Sequence, residues 1–198
     1  MKIRLNVIAL VALAITVWFT VVSCSGGDRV RSTGISPETI SDYMFRILKS
    51  ERAVYGKFVV QRLSEAKIVH ASENWERDNT LPLPAQMFRM TAEMSSRDGS
   101  FSYGSLSPWS LNEAHAPKSE FEKKAMQTVI DTGLPFKGYQ NKDGKRYYSA
   151  LYPDKAVTEA CATCHNQHPL HKQRYPDKVF KVGDVMGGIL INIPLDEG

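Results

Sequence analysis

Apolar residues fall along this chain in blocks of different period, and each block predicts an element. Ile40, Met44, Ile47, Leu48, Tyr55, Phe58, Val59 and Leu63 recur at three- and four-residue spacings, the pattern of a long amphipathic helix. Ser36-Pro37 marks its start, an N-cap residue followed by proline in the first turn. The pattern leaves two uses open for such a helix: one face packed on its own domain, or a homodimer contact. Leu81-Pro82-Leu83-Pro84 interrupts the chain, and a second helix restarts with Met87, Met90 and Met94 on adjacent turns. Phe101, Tyr103 and Ser105 alternate as in a short strand reaching Leu106.

Ser119-Glu120-Phe121-Glu122 is a capping box. It opens a helix with Phe121, Ala125, Met126, Val129 and Ile130 inward, stopped at Gly133. Phe136 to Gln140, a turn at Asn141-Lys142-Asp143-Gly144, and Arg146 to Tyr152 read as a hairpin. A last strand runs from Gly188 to Ile193, just before Pro194. Helices precede a small antiparallel set of strands, so the fold class is α+β. No internal repeat is present.

The N-terminal block is different in kind. Val7 to Val22 is almost unbroken apolar sequence behind Lys2 and Arg4, the order of a secretory signal or an uncleaved anchor. It ends in Val21-Val22-Ser23-Cys24, then Ser25-Gly26-Gly27, which resembles a bacterial lipoprotein cleavage box with Cys24 as the lipidated residue. Residues 1–23 are thus a signal peptide or membrane anchor, 25–35 a Gly-, Ser- and Arg-rich tether, and 36–198 one globular domain. Each version puts that domain outside the cytoplasmic membrane, in a bacterial periplasmic or extracytoplasmic space.

Composition adds little beyond exclusions. With 42% apolar and 23% charged residues, bulk disorder is out. A net charge of +4, part of it in the targeting segment, is too small and dispersed to argue for nucleic acid. Three cysteines cannot make a multi-disulfide scaffold. Nothing resembles a nucleophile triad, a phosphate loop or a carboxylate pair, so no enzymatic activity is expected.

Cys161-Ala162-Thr163-Cys164-His165 is the motif that carries chemistry. On a helical turn Cys161, Cys164 and His165 stand at i, i+3 and i+4 and project from one face. Two thiols so placed add to the two vinyl groups of a haem while the imidazole reaches iron, the arrangement of one covalent haem c. A thioredoxin-like pair would need a surrounding βαβ pattern, which is absent. A disulfide across two residues would be strained. Zinc would recruit His168 and His171, but structural zinc draws its ligand pairs from separated segments, and no second pair exists.

From about Tyr43 to Leu195 the chain resembles the PAS-like haem-c-binding domain family, found outside the membrane in bacterial sensor kinases and chemoreceptors and as standalone small cytochromes. The resemblance rests on Leu83-Pro84-Ala85-Gln86-Met87-Phe88-Arg89-Met90, on Cys161 to Pro169, and on Gly183-Asp184-Val185-Met186-Gly187-Gly188. It implies a PAS-like antiparallel sheet with a long N-terminal helix, and one haem between sheet and helices. A relative of this type uses cysteine as distal ligand; the spare cysteine here, Cys24, lies in the lipid box, outside the resembling stretch.

His165 is the proximal ligand on this reading. His168 is too near it in sequence to reach the opposite side of the ring. Distal candidates are Met87, Met90, Met94, His115, Met186, Tyr55 and His70, with Met87 and Met90 first because they lie in the resembling segment. Tyr55, Tyr103, Tyr147, Tyr148 and Tyr152 are candidate haem-pocket residues, and Arg89 and Arg146 candidate partners of the propionates.

Two functions follow. One is electron transfer by a membrane-anchored cytochrome with a redox partner protein. The other is a redox or diatomic-gas sensor signalling through a separate protein. The chain reaches Gly198 directly after its last strand, with no kinase or methyl-accepting region, and on that ground electron transfer is the expected function.

Overall fold

The computed structural model describes residues 34–157 and 159–195. The signal or anchor, Cys24 and most of the tether lie outside the described residues. Among those described, no helix is long and apolar enough to cross a membrane.

The long amphipathic helix is present as α1, Pro37–Val54, which runs on through a π-helical stretch, Tyr55–Gln61, into α2, Arg62–Glu65. Ser36 caps it as expected: its Oγ accepts from the Thr39 amide at 3.1 Å. A two-residue strand β1, Ala71–Ser72, a single turn α3, Trp75–Asp78, and β2, Leu81–Pro82, then form a small parallel pair. Helix α4, Pro84–Ser95, starts on Pro84, with the Gln86 side chain accepting from the Leu83 amide. After β3, Ser102–Leu106, and a 3₁₀ turn at Glu113–His115 comes α5, Glu120–Thr132. Its capping box is complete: Ser119 Oγ accepts from Glu122 N, and the Glu122 carboxylate from Ser119 N. Gly133, at φ 66°, ends it in the left-handed region.

The hairpin is longer and tighter than the sequence suggests. Strand β4 is Phe136–Lys142 and β5 is Lys145–Lys155, leaving Asp143-Gly144 as a two-residue turn with φ 51° and 75°. Positive φ at both positions is the type I′ requirement, which matches strand twist. β5 continues past Tyr152 through Pro153, although proline usually ends a strand. β4 stops opposite Leu151, so beyond that point β5 has a neighbour on one side only, where a missing donor is tolerated. Two short helices follow, α6, Glu159–Gln167, and α7, Pro169–Arg174, and then β6, Val185–Pro194.

Sheet order is β3-β6-β5-β4, antiparallel throughout. The sheet is covered on both faces. On one, Tyr103, Tyr148, Ala150, Tyr152, Ile189 and Ile191 meet Leu48 of α1 and Phe88 and Ala92 of α4. On the other, Leu106, Leu151 and Leu190 meet Ala125, Met126 and Val129 of α5. That is why the centres of β5 and β6 read as apolar runs rather than alternation. Each fully buried Leu151, Ile189 or Ile191 contributes about 1.5–3 kcal/mol of transfer free energy.

Two polar contacts fix α1 on the sheet. Near its start, Tyr152 Oη donates to Asp42 at 2.6 Å, Ser41 Oγ lies 2.9 Å from the same phenol, and Lys137 of β4 donates to Asp42 at 2.7 Å. One turn from its end, Arg52 makes a forked pair with Asp154 of β5, at 2.7 and 3.0 Å. The expectation that one face of this helix packs on its own domain is met.

Candidate functional site

Helix α6 carries the Cys161–His165 motif and packs on residues from both sides of it in the chain. Ala162, buried, packs with Ala156 and Phe180, and the half-buried Trp109, Cys161 and Met186 complete this small cluster. Asn166 clamps the chain that follows: its side-chain amide donates to Phe180 O and its oxygen accepts from Phe180 N, both at 2.9 Å. These contacts leave Cys161 half-buried, Cys164 and Thr163 exposed, and His165 half-buried. No disulfide joins Cys161 to Cys164.

The three histidines are differentiated by their hydrogen bonds. His168 caps α7, its Nδ1 accepting from the Leu170 amide, so the proton sits on Nε2, which donates to the Glu73 carboxylate at 2.8 Å. His171, 2% exposed, donates from Nε2 to Lys178 O at 2.7 Å. Nδ1 of His165, like that of His171, is buried without a hydrogen-bond partner, and the His165 ring lies edge-on to His171 and Phe180, with centroids 6.1 and 5.8 Å away. With His168 and His171 engaged, no three His, Cys, Asp or Glu side chains among the described residues gather into a metal cluster.

Burial and neighbouring charges favour the neutral imidazole. Burial, and then the nearby His171 and His168, push the His165 pKa below its ordinary value. Burial, with Glu73 and Cys161 adding to it, pushes the Cys164 thiol up. The Arg52–Asp154 pair is close enough for both charges to act on His165, and Cys161 in turn acts on Arg52. Burial would lower the Arg52 pKa, but the Asp154 carboxylate outweighs it and holds the guanidinium firmly charged.

The remaining expected residues distribute unevenly. The first turn of α4 is drawn toward the motif, because Gln86 donates to Glu73 O while the Glu73 carboxylate holds His168. Met87 and Met90 occupy the first two turns of that helix, half-buried, whereas Met94 is 63% exposed. Tyr55, at the start of the π-helical stretch, donates to Pro82 O at 2.8 Å. Met186 packs beside Cys161.

Other residues lie elsewhere. Tyr103, Tyr148 and Tyr152 belong to the large cluster under α1 and α4, separate from the one containing Cys161. Tyr152 stacks on Phe45 at 4.2 Å and Tyr103 meets Phe88 edge-on. Arg146 lies over the Tyr139 ring at the hairpin end of β5, about 26 Å along the strand from Asp154 at ~3.3 Å per residue. The structure does not bring it to the motif. Arg89 is half-exposed, 3.8 Å from Glu93, and acts on His115.

Arg52, Asp154, Glu73 and Asn166 surround the motif and carry no sequence motif of their own. The one legible signal was Arg52, which stands four residues after Leu48 on the inward face of α1.

The model of the family described as Tll0287-like matches residues 35–194. The chain belongs to the Tll0287-like family. Leu83–Met90, Cys161–Pro169 and Gly183–Gly188, on which the resemblance was read, all fall inside the stretch matched as Tll0287-like. The crystal structure of the cyanobacterial heme-protein Tll0287 is similar at 17% identity and a TM-score of 0.47, over 83% of this chain and 99% of that one. No curated protein matches the sequence.

Proposed function

We propose that this Tll0287-like protein is a membrane-anchored, extracytoplasmic, monohaem c-type cytochrome that transfers electrons. The observation carrying this reading is the α6 turn, where Cys161, Cys164 and His165 share one face with no disulfide between the thiols. Haem bound there supplies an iron that alternates between ferrous and ferric states. Cys161 and Cys164 would hold it through thioether bonds to its two vinyl groups. His165, whose Nδ1 is buried and whose neutral form is favoured, would ligate the iron. The exposure of Thr163 and Cys164 leaves this edge of the site open to a redox partner. Met87 or Met90, on the helix tied to the motif through Glu73, would supply a second protein ligand. The relative Tll0287 is itself a heme-protein by its description.

A sensor reading is favoured by one contact. Arg52 ties the long helix α1 to Asp154 next to the motif, so a change of charge at the iron would act on that helix. Signalling would then pass to a separate protein.

The test is an optical spectrum of the protein made in a host that exports and attaches haem, recorded oxidised, reduced, and reduced under carbon monoxide. A sharp low-spin reduced spectrum unmoved by carbon monoxide supports electron transfer with two protein ligands. A spectrum shifted by the gas supports sensing. No Soret band refutes both. His165→Ala abolishes the low-spin spectrum if the axial assignment is right.

A further inference from the structure

Helix α1 buries one face on the sheet but keeps a second apolar stripe in water. Ile40, Tyr43, Ile47, Val54 and Phe58 are between 36% and 58% exposed. At 100° per residue the four that belong to α1, Ile40, Tyr43, Ile47 and Val54, fall within about 60° of one another, well away from the buried Ser41 and Leu48, and Phe58 follows in the π-helical stretch. Ile40, Ile47 and Val54 are spaced by sevens, with Tyr43 between the first two, so they read as successive a positions and a d position of a heptad seam. All three a residues are β-branched, the choice that favours two parallel strands. Charge fits the same register. Arg46 is a g residue and Glu51 the e residue of the next heptad, the pair that meets across a parallel dimer. Neither forms an ion pair within the chain among the described residues. The flanks mix Arg46, Lys49 and Lys57 with Glu38 and Glu51, which does not suit an anionic lipid surface.

We infer that this stripe docks a second copy of the chain, α1 against α1, parallel and in register. Polar Ser50 and Lys57 at the other d positions keep the seam modest, so the dimer forms readily only at high local concentration, such as two copies tethered in one membrane. The inference rests on α1 and on the membrane anchoring proposed above, and stands whether or not haem is bound.

The experiment uses the full-length chain in its native membrane under mild oxidation, with the unsubstituted protein as the background for Cys24. Ser50→Cys, on the seam, gives a disulfide-linked species of twice the chain mass. Lys49→Cys, equally exposed on the other side of the helix, does not. Adding Arg46→Glu to Ser50→Cys lowers the yield roughly three- to tenfold, and adding Glu51→Arg as well restores it. Equal yields at positions 49 and 50, or no recovery in the charge swap, overturn the inference. So does a Ser50→Cys product of any other mass, which would identify a different protein seated on the stripe.

Discussion

Replacing Arg52 by Met tests whether the first helix is energetically joined to the ground beside the motif. The two hydrogen bonds to Asp154 are 2.7 and 3.0 Å long, and both side chains are 26% exposed. An exposed pair contributes about 0–1 kcal/mol, and breaking a fully buried one costs about 3–5 kcal/mol. Intermediate exposure and forked geometry place Arg52→Met at about 2 kcal/mol, since it strands a partly desolvated Asp154 while keeping the apolar stem. For a domain of this size that lowers Tm by about 4–8 °C. Denaturant unfolding of Arg52→Met, Asp154→Asn and the double variant forms a cycle whose expected coupling is about 1–2 kcal/mol. A coupling below about 0.5 kcal/mol would mean the pair is ordinary surface decoration, and the mechanical link from motif to helix would fall with it. In protein carrying haem, Arg52→Met also lowers the midpoint potential, because a positive charge within reach of His165 is removed and the ferric state gains.

Other consequences are independent of that pair. A Cβ on Gly188 would stand 2.8 Å from Leu151 Cγ and Cδ1 and 3.1 Å from Tyr152 O; Gly188→Ala therefore costs about 1–3 kcal/mol by overpacking, read as a lower denaturant midpoint, and an unchanged midpoint would contradict the packing. Burial would raise the Asp42 pKa, but hydrogen bonds from Lys137 and Tyr152 and the charges of Lys137 and Arg46 hold it below its ordinary 3.8. Its contribution to stability is therefore present above that value and lost as pH falls through the lower folded pKa. Unfolding of Asp42→Asn between neutral pH and about pH 3 should show a shallower acid loss than the parent, and parallel curves would sink the assignment. Ser119→Ala removes the acceptor for the Glu122 amide and costs about 0.5–2 kcal/mol, measurable by thermal melting.

Much of the architecture is legible wherever one element answers to one local rule. Ser36-Pro37, the Ser119–Glu122 box and Gly133 each announce a helix boundary because the groups they satisfy lie within four residues. The hairpin is legible for the same reason, though its extent is not: Asp143-Gly144 suffices as a type I′ turn, and the polar residues on either side stay in the strands. Long-range pairings leave no such trace. Arg52 and Asp154 are far apart in sequence and each looks like a surface charge, and the order β3-β6-β5-β4 depends on contacts that no periodicity encodes. The motif itself is local chemistry and reads directly. Tyr148 and Tyr152 go into the packing under α1, a placement that their spacing along β5 alone does not reveal.

The way α6 is held bears on how the molecule assembles. Several bonds around the motif are made within the chain's last fifty residues: Asn166 with Phe180, His171 with Lys178, Ala156 with Asp184. Closing such short loops costs little chain entropy, whereas pairing α1 with β5 must bring together segments more than half the chain apart. The segment around Cys161–His165 can thus take shape early, with Cys164 exposed to solvent, before the long helix closes over the sheet.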